Sequence, residues 1–201
     1  MTILQVDQLT KKIKGMPIIQ DVSFKLDEGQ IVGLVGANGA GKTTLMKVIL
    51  GLSNYQDGSY EIRANTNNKS NTGALIESPG VYPFLTGYDN LKLLCESKDK
   101  NAIDDIVKKL KMDRYIHKKA KTYSLGMKQK LGIAIAFLNH PQLIVLDEPM
   151  NGLDPKAVRD VRELIVETAK QGTTFLISSH ILSELVKITD SILIIDEGKI
   201  I

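Results

Sequence analysis

The sequence has no tryptophan and a single cysteine in 201 residues. Cys95 therefore closes no internal disulfide, no His/Cys spacing suggests zinc, and the thiol reads as a packed core residue. No run approaches the roughly 18 apolar residues that a bilayer-crossing helix needs. The opening Met1-Thr2-Ile3-Leu4-Gln5-Val6-Asp7 lacks a basic segment followed by an apolar one, so export is not expected and a reducing, cytosolic setting is. Excess charge is also scarce: a net +3 is too small to imply a nucleic-acid partner by itself. The one basic stretch, Lys108, Lys109, Lys111, Arg114, Lys118, Lys119 and Lys121, interleaves with Ile103, Ile106, Val107 and Leu110 at helical spacing. That pattern reads as the solvated face of a helix.

What the chain does have is apolar content, 43%, enough for a core of ordinary globular size and one domain. Its most informative stretch is Ile31-Val32-Gly33-Leu34-Val35 running into Gly36-Ala37-Asn38-Gly39-Ala40-Gly41-Lys42-Thr43-Thr44. This is G-x-x-x-x-G-K-[ST] between a buried strand and a helix. Backbone N–H groups must converge on phosphate oxygens there, and residues without a Cβ, here Gly36, Gly39 and Gly41, permit the approach and the positive φ values. The helix beginning near Lys42 adds unsatisfied N–H groups and a positive dipole end. Lys42 supplies a point charge for the outer phosphates, and the Thr43 hydroxyl is placed to ligate Mg²⁺. The set reads as a nucleoside-triphosphate site.

Along the chain, alternation from Thr2 to Leu26 predicts strands, with Asp27-Glu28-Gly29 turning into the glycine-rich segment. The helix after Gly41 stops at Gly51. Asn54 to Asn71 is polar and predicts surface hairpins around a strand at Ser59–Arg63. Thr72–Glu77 reads as a strand, broken by Pro79 and Gly80. Helical periodicity then dominates from Thr86 to about His140, in segments starting near Thr86, Asn101 and Ser124. Leu143-Ile144-Val145-Leu146 is the uninterrupted apolar run of a parallel strand covered on both faces. Asp154-Pro155 opens a helix that holds its period to Gly172. A strand at Thr174–Ser178, a helix through Leu185 and Ile188, and a strand at Ser191–Ile195 follow. Strands alternating with helices imply a mostly parallel sheet. The expected organisation is α/β: an N-terminal antiparallel β part, a core from residues 1–85 and 141–201, and an inserted helical subdomain at 86–140. Lys199-Ile200-Ile201 reads as an unpaired strand stub, so a C-terminal truncation is expected.

A second cluster supplies chemistry. Asp147 ends a buried strand, where a carboxylate can hold a Mg²⁺ water shell, and Glu148 beside it is a candidate base for the water attacking a γ-phosphate.

The glycine-rich loop, Asp147-Glu148-Pro149, Asn151-Gly152-Leu153-Asp154-Pro155 and His180 follow one another as in the nucleotide-binding subunits of ABC transporters, and the chain resembles that family over essentially its whole length. Tyr123-Ser124-Leu125-Gly126-Met127-Lys128-Gln129-Lys130 sits where the family carries Leu-Ser-Gly-Gly-Gln before a helix; Ser124 and Gly126 match, Leu125 and Met127 do not. A serine N-cap, a glycine and a helix N-terminus still suit a phosphate.

Gly73–Pro79 together with Ser124–Gln129 resembles the bacitracin-resistance and lantibiotic-immunity subgroup. Glu77 stands where the family usually has glutamine, implying a metal-coordinating carboxylate with altered metal dependence. Ile13 stands where the family often stacks an aromatic ring on adenine, which implies weaker base discrimination and leaves GTP beside ATP.

The resemblance further implies ATP and Mg²⁺ as cofactors, with metal held by Thr43, Glu77 and Asp147, and nucleotide by Gly36 to Thr44, Ser124 and Gly126. Glu148 and His180 are implied as catalytic, whereas His117 and His140 read as surface or packed residues. A second nucleotide-binding subunit is expected to face the first head to tail, with Asp154 near it, and an integral-membrane permease to hold the pair at the cytoplasmic face of the membrane. The segment after Glu77 and the helical lobe resemble the gripping surface. A soluble ATPase of the same type acting on ribosomes or nucleic acid is the alternative, although no nucleic-acid partner is expected. A non-catalytic nucleotide-dependent module is a third, disfavoured by Glu148 and His180.

Overall fold

The structure, a computed structural model, describes residues 1–63, 72–96 and 99–201. The first hairpin pairs β1 (Thr2–Ile13) with β2 (Met16–Asp27) antiparallel, Ile13 opposite Met16. Lys14 and Gly15 between them have φ of 50° and 81°, the two positive values of a turn whose twist matches its strands. The other edge of β1 takes β4 (Asp57–Ile62), giving the order β2-β1-β4. Of the hairpins expected between Asn54 and Asn71, residues 64–71 lie outside the described residues.

The main sheet runs β5-β6-β7-β3-β8-β9, from β3 (Ile31–Val35), β5 (Thr72–Leu75), β6 (Leu143–Asp147), β7 (Thr174–Ser179), β8 (Ser191–Asp196) and β9 (Lys199–Ile200). Its first five members are parallel and β9 is antiparallel to β8. Because successive strand residues face opposite ways, each strand feeds two cores. Ile144, Leu146, Phe175 and Ile177 join the core under the helical segments. Leu143, Val145, Leu176, Val32 and Leu34 join the core shared with β1, β2 and the first helix.

The helices are α1 (Lys42–Ile49), α2 (Gly87–Leu94), α3 (Lys100–Lys109), α4 (Leu125–Phe137), α5 (Pro155–Ala169) and the single turn α6 (Leu182–Leu185). Their starts follow side-chain chemistry. Thr86, Asp99, Ser124 and Asp154 each accept a backbone N–H of the first turn, satisfying donors that have no intrahelical partner. Gly51, at φ 70°, ends α1 by donating to the Val48 carbonyl while Leu52 donates to that of Lys47, a paired closure that glycine permits.

Three expectations are corrected. The strand read at Thr72–Glu77 stops at Leu75, because Ser78 N–H turns back onto the Ile76 carbonyl and Glu77 takes φ 59°. The helix read through Leu185 and Ile188 shrinks to one turn. Lys199–Ile200 is no unpaired stub: Ile195 and Asp196 pair with Ile200 and Lys199, and the Gln20 N–H donates to the Gly198 carbonyl.

Phe175 is fully buried in the middle of the sheet, its ring centroid 5.6 Å from that of Phe137. Phe175→Ala should therefore cost about 3–5 kcal/mol, read as a lower denaturant midpoint at unchanged slope.

A second prediction concerns pH. The Ala157 and Lys156 N–H groups hold the Asp154 carboxyl below its usual value. A carboxyl lowered by folding contributes above its ordinary value of about 3.9, and that contribution disappears as pH falls through the lowered one. The Tm difference between the parent and Asp154→Ala should be full at pH 7 and fade in acid. An unchanged difference across the acid range would remove the charge from the account.

Candidate functional site

In an open parallel sheet the side chains at the carboxyl ends of neighbouring strands share one crevice. Here those ends belong to β3, β6 and β7, which lie side by side. The loop from β3 into α1 approaches other backbone so closely at two points that Gly36 and Gly41 are obligatory. A Cβ on Gly36 would stand 2.3 Å from the Ile195 carbonyl oxygen, and one on Gly41 would stand 2.8 Å from that of Ile18, where φ is already 110°. Lys42, buried at the head of α1, donates from Nζ to the Gly36 carbonyl at 2.6 Å and the Ala37 carbonyl at 3.1 Å. The ammonium is thus kept at the mouth of the loop, 4.0 Å from Glu148 Oε1.

The next residue makes the connection between the two sequence motifs. Thr43 Oγ1 donates to Asp147 Oδ2 at 2.7 Å, joining the glycine-rich loop to the tip of β6. Asp147 is only 7% exposed, and its other oxygen accepts from Ser178 Oγ at 2.6 Å. Ser178 Oγ accepts in turn from the Glu148 N–H at 2.9 Å. β6 ends there because Glu148 takes φ 49°, a left-handed conformation costing roughly 1–3 kcal/mol in a non-glycine residue. The kink aims the Glu148 carboxylate at Lys42 and at His180, whose Nδ1 lies 2.9 Å from Glu148 Oε2. An ionised carboxylate only accepts, so the Nδ1 of that pair carries the proton.

The remaining residues of interest sit elsewhere. Ser124 caps α4, accepting the Met127 N–H at 3.3 Å. Gly126 lies against the turn after β6, where an added Cβ would stand 2.9 Å from the Gly152 carbonyl oxygen. Both line a depression of about 400 Å³ shared with Leu125, Gly152, Leu153 and Asp154. Leu125, where the resembled motif has glycine, points outward and is 68% exposed. Glu77 is engaged with α1: Lys47 Nζ donates to its Oε1 at 2.6 Å. Among the described residues no hydrogen bond or ion pair joins Glu77 to Thr43 or Asp147. Ile13 is 43% exposed on β1. His117 packs against the Tyr88 ring, centroids 5.3 Å apart.

Two participants escaped sequence reasoning. Ser178 sits directly opposite Asp147 in the β6–β7 register, and Gln129 of α4 donates from Nε2 to the Glu148 and Pro149 carbonyls at 3.3 and 3.1 Å. Neither residue type signals such a role in one sequence, since both contacts depend on strand register and helix placement.

The oxygen donors suit a magnesium-nucleotide complex. A hydroxyl and a carboxylate 2.7 Å apart are hard donors, of the kind Mg²⁺ takes while its other positions go to water and substrate phosphates. The glycine contacts that leave no room for a Cβ press the loop against the Ile195 and Ile18 carbonyls and so fix its path between β3 and α1.

Comparison with known proteins gives a consistent result. The family model described as ABC transporter matches residues 19–151. The chain is 42% identical to the uncharacterized ABC transporter ATP-binding protein YdbJ of Bacillus subtilis, over 98% of this chain and 68% of that protein. It is 38% identical to the bacitracin transport ATP-binding protein BcrA of Enterococcus faecalis, over 99% of this chain and 68% of BcrA. With the lantibiotic transport ATP-binding protein SrtF of Streptococcus pyogenes it shares 39% identity, over 98% of this chain and 89% of SrtF. A solved structure of an ATP binding subunit of an ABC transporter superposes with a TM-score of 0.89 at 30% identity, covering 98% of this chain and 88% of the other.

Proposed function

The chain belongs to the ABC transporter family as one of its ATP-binding subunits, an ATPase, and from that premise we propose that it hydrolyses magnesium-bound ATP to power a permease exporting a peptide antibiotic. The observation that carries the reading is the junction of loop and strand tip, Thr43 on Asp147 with Lys42 facing Glu148. Relatives named for bacitracin and lantibiotic transport support the substrate class. Those names also favour a permease partner over ribosomes or nucleic acid.

In the proposed mechanism, the N–H groups from Gly36 to Thr44 and the positive end of α1 bind the outer phosphates. Lys42 exchanges its carbonyl partners for phosphate oxygens. Thr43 and Asp147 would hold Mg²⁺, which when bound would supply positive charge against the phosphates. Glu77 is proposed as a further oxygen donor, and its ion pair with Lys47 offsets the charge it brings toward the triphosphate. Glu148 takes the proton of the attacking water, and His180 keeps that carboxylate in position. Ser124 and Gly126 serve the nucleotide of a second copy, arranged head to tail, with Asp154 near the joint. Closure is then stabilised by nucleotide and released by hydrolysis, since a ligand shifts an equilibrium only by its differential affinity. Among the described residues no helix is long and apolar enough to cross a membrane. A separate permease at the cytoplasmic face would supply the path. The exposed Tyr82 and Phe84, 52% and 75% accessible, give that partner an apolar grip.

The enzymatic part is tested with two variants. Glu148→Gln should bind ATP like the parent but hydrolyse it about 10²–10⁴-fold more slowly; near-parent turnover would remove Glu148 from the base role. Lys42→Ala should lose triphosphate binding in a titration, and unchanged affinity would refute the phosphate assignment.

The transport part is tested in cells expressing the chain with its permease. They should survive bacitracin-like or lantibiotic-like peptides, and the Glu148→Gln version should not; equal survival of the two would overturn the export reading.

A further inference from the structure

We propose that Ser178 is a positioning residue for hydrolysis, a single buried hydroxyl that aligns both the metal-side carboxylate Asp147 and the base Glu148. The inference rests on the ATPase reading above and assigns a role to a residue that acts through Asp147 and Glu148. Ser178 is fully buried in β7. The parallel register sets it directly opposite Asp147, so its side chain stands beside that carboxylate. A buried hydroxyl must be satisfied, and here its two capacities are divided between the two acidic residues. It donates to Asp147 Oδ1 at 2.6 Å and accepts the Glu148 N–H at 2.9 Å.

Each bond has a separate consequence. With Thr43 Oγ1 on Oδ2, the bond to Oδ1 fixes both ends of the Asp147 carboxylate, so the group has one orientation toward the ion it would hold. The bond from Glu148 N–H lies at the residue where β6 breaks into a positive φ. There the ladder no longer supplies a partner, and the hydroxyl replaces it. That fixes the kink that carries Glu148 toward His180 and Lys42. His180 follows two residues after Ser178, just past the end of β7, so one short segment at that strand end holds the backbone of Glu148 through Ser178 and its carboxylate through His180. Gln129 braces the other side of the kink through the Glu148 and Pro149 carbonyls.

The test uses Ser178→Ala, Ser178→Cys and Ser178→Thr in the full chain, with thermal scans to verify folding. Two quantities are read: ATP affinity with EDTA and with Mg²⁺, and kcat separately from KM. Ser178→Ala and the size-matched Ser178→Cys should bind ATP in EDTA like the parent. They should lose about tenfold or more of the affinity that Mg²⁺ adds and about 10–100-fold in kcat, whereas Ser178→Thr, which keeps a hydroxyl, should recover most of both. If Ser178→Ala does not fold, Ser178→Cys gives the same two readings. A folded Ala or Cys variant with parent-like Mg²⁺ gain and kcat overturns the positioning role. So does a Thr variant that folds and recovers neither. A parent that neither binds nor hydrolyses ATP overturns the ATPase reading itself, and the role with it.

Discussion

Everything at the site depends on one buried carboxylate held by two hydroxyls, one from the first turn of a helix and one from the end of a strand. Asp147 accepts from Thr43, at the start of α1, and from Ser178, at the end of β7. Removing such a group from water is expensive unless its oxygens are satisfied, and both are. The same pair of bonds ties the carboxyl ends of β3, β6 and β7 into one rigid corner. The glycine-rich loop, Glu148 and His180 are positioned relative to that corner, which itself follows from parallel register.

Rigidity there is achieved against local cost. Glu148 sits in a conformation that side chains with a Cβ disfavour, and Lys42 faces it across 4.0 Å. Contacts on every side hold the strained residue: Ser178 on its N–H, Gln129 and the Asn151 N–H on its carbonyl, and His180 on its carboxylate. The proposed base, held in this manner, loses little further entropy when a nucleophile arrives. The α4 segment that begins at Ser124 is fastened to the back of the same kink through Gln129. The proposed partner-facing end of α4 and the proposed base Glu148 therefore belong to one packed unit.

Much of this was readable beforehand because it is written in local chemistry. The strand-loop-helix glycine pattern, the apolar run ending in Asp147, the Ser, Thr and Asp caps, and the Gly51 stop each follow from the conformational needs of a few adjacent residues. The failures share a different physical character. Ser178 looks like any strand serine until register sets it opposite Asp147. The strand at Thr72 ends early because Ser78 turns back on Ile76, a bond no propensity reveals. Lys47 looks like a solvated helix lysine, yet it takes the carboxylate of Glu77 at 2.6 Å. That pairing separates the charge of Glu77 from the effect expected of a bare carboxylate beside a triphosphate. Lys199–Ile200 looked partnerless because antiparallel addition to β8 depends on where the preceding turn points.

That last turn has a consequence for how the protein comes into being. Gly198 N–H donates to the Ala40 carbonyl, the Ile195 carbonyl lies against Gly36, and the Gly198 carbonyl accepts from Gln20. The glycine-rich loop is thus braced by residues translated long after it. Chains grow and begin to fold from the N-terminus, so a nascent chain on the ribosome holds residues 36–44 without their brace until Gly198 has left the exit tunnel. Until then the loop lacks the contacts from Ile195 and Gly198 that fix its path in the folded chain.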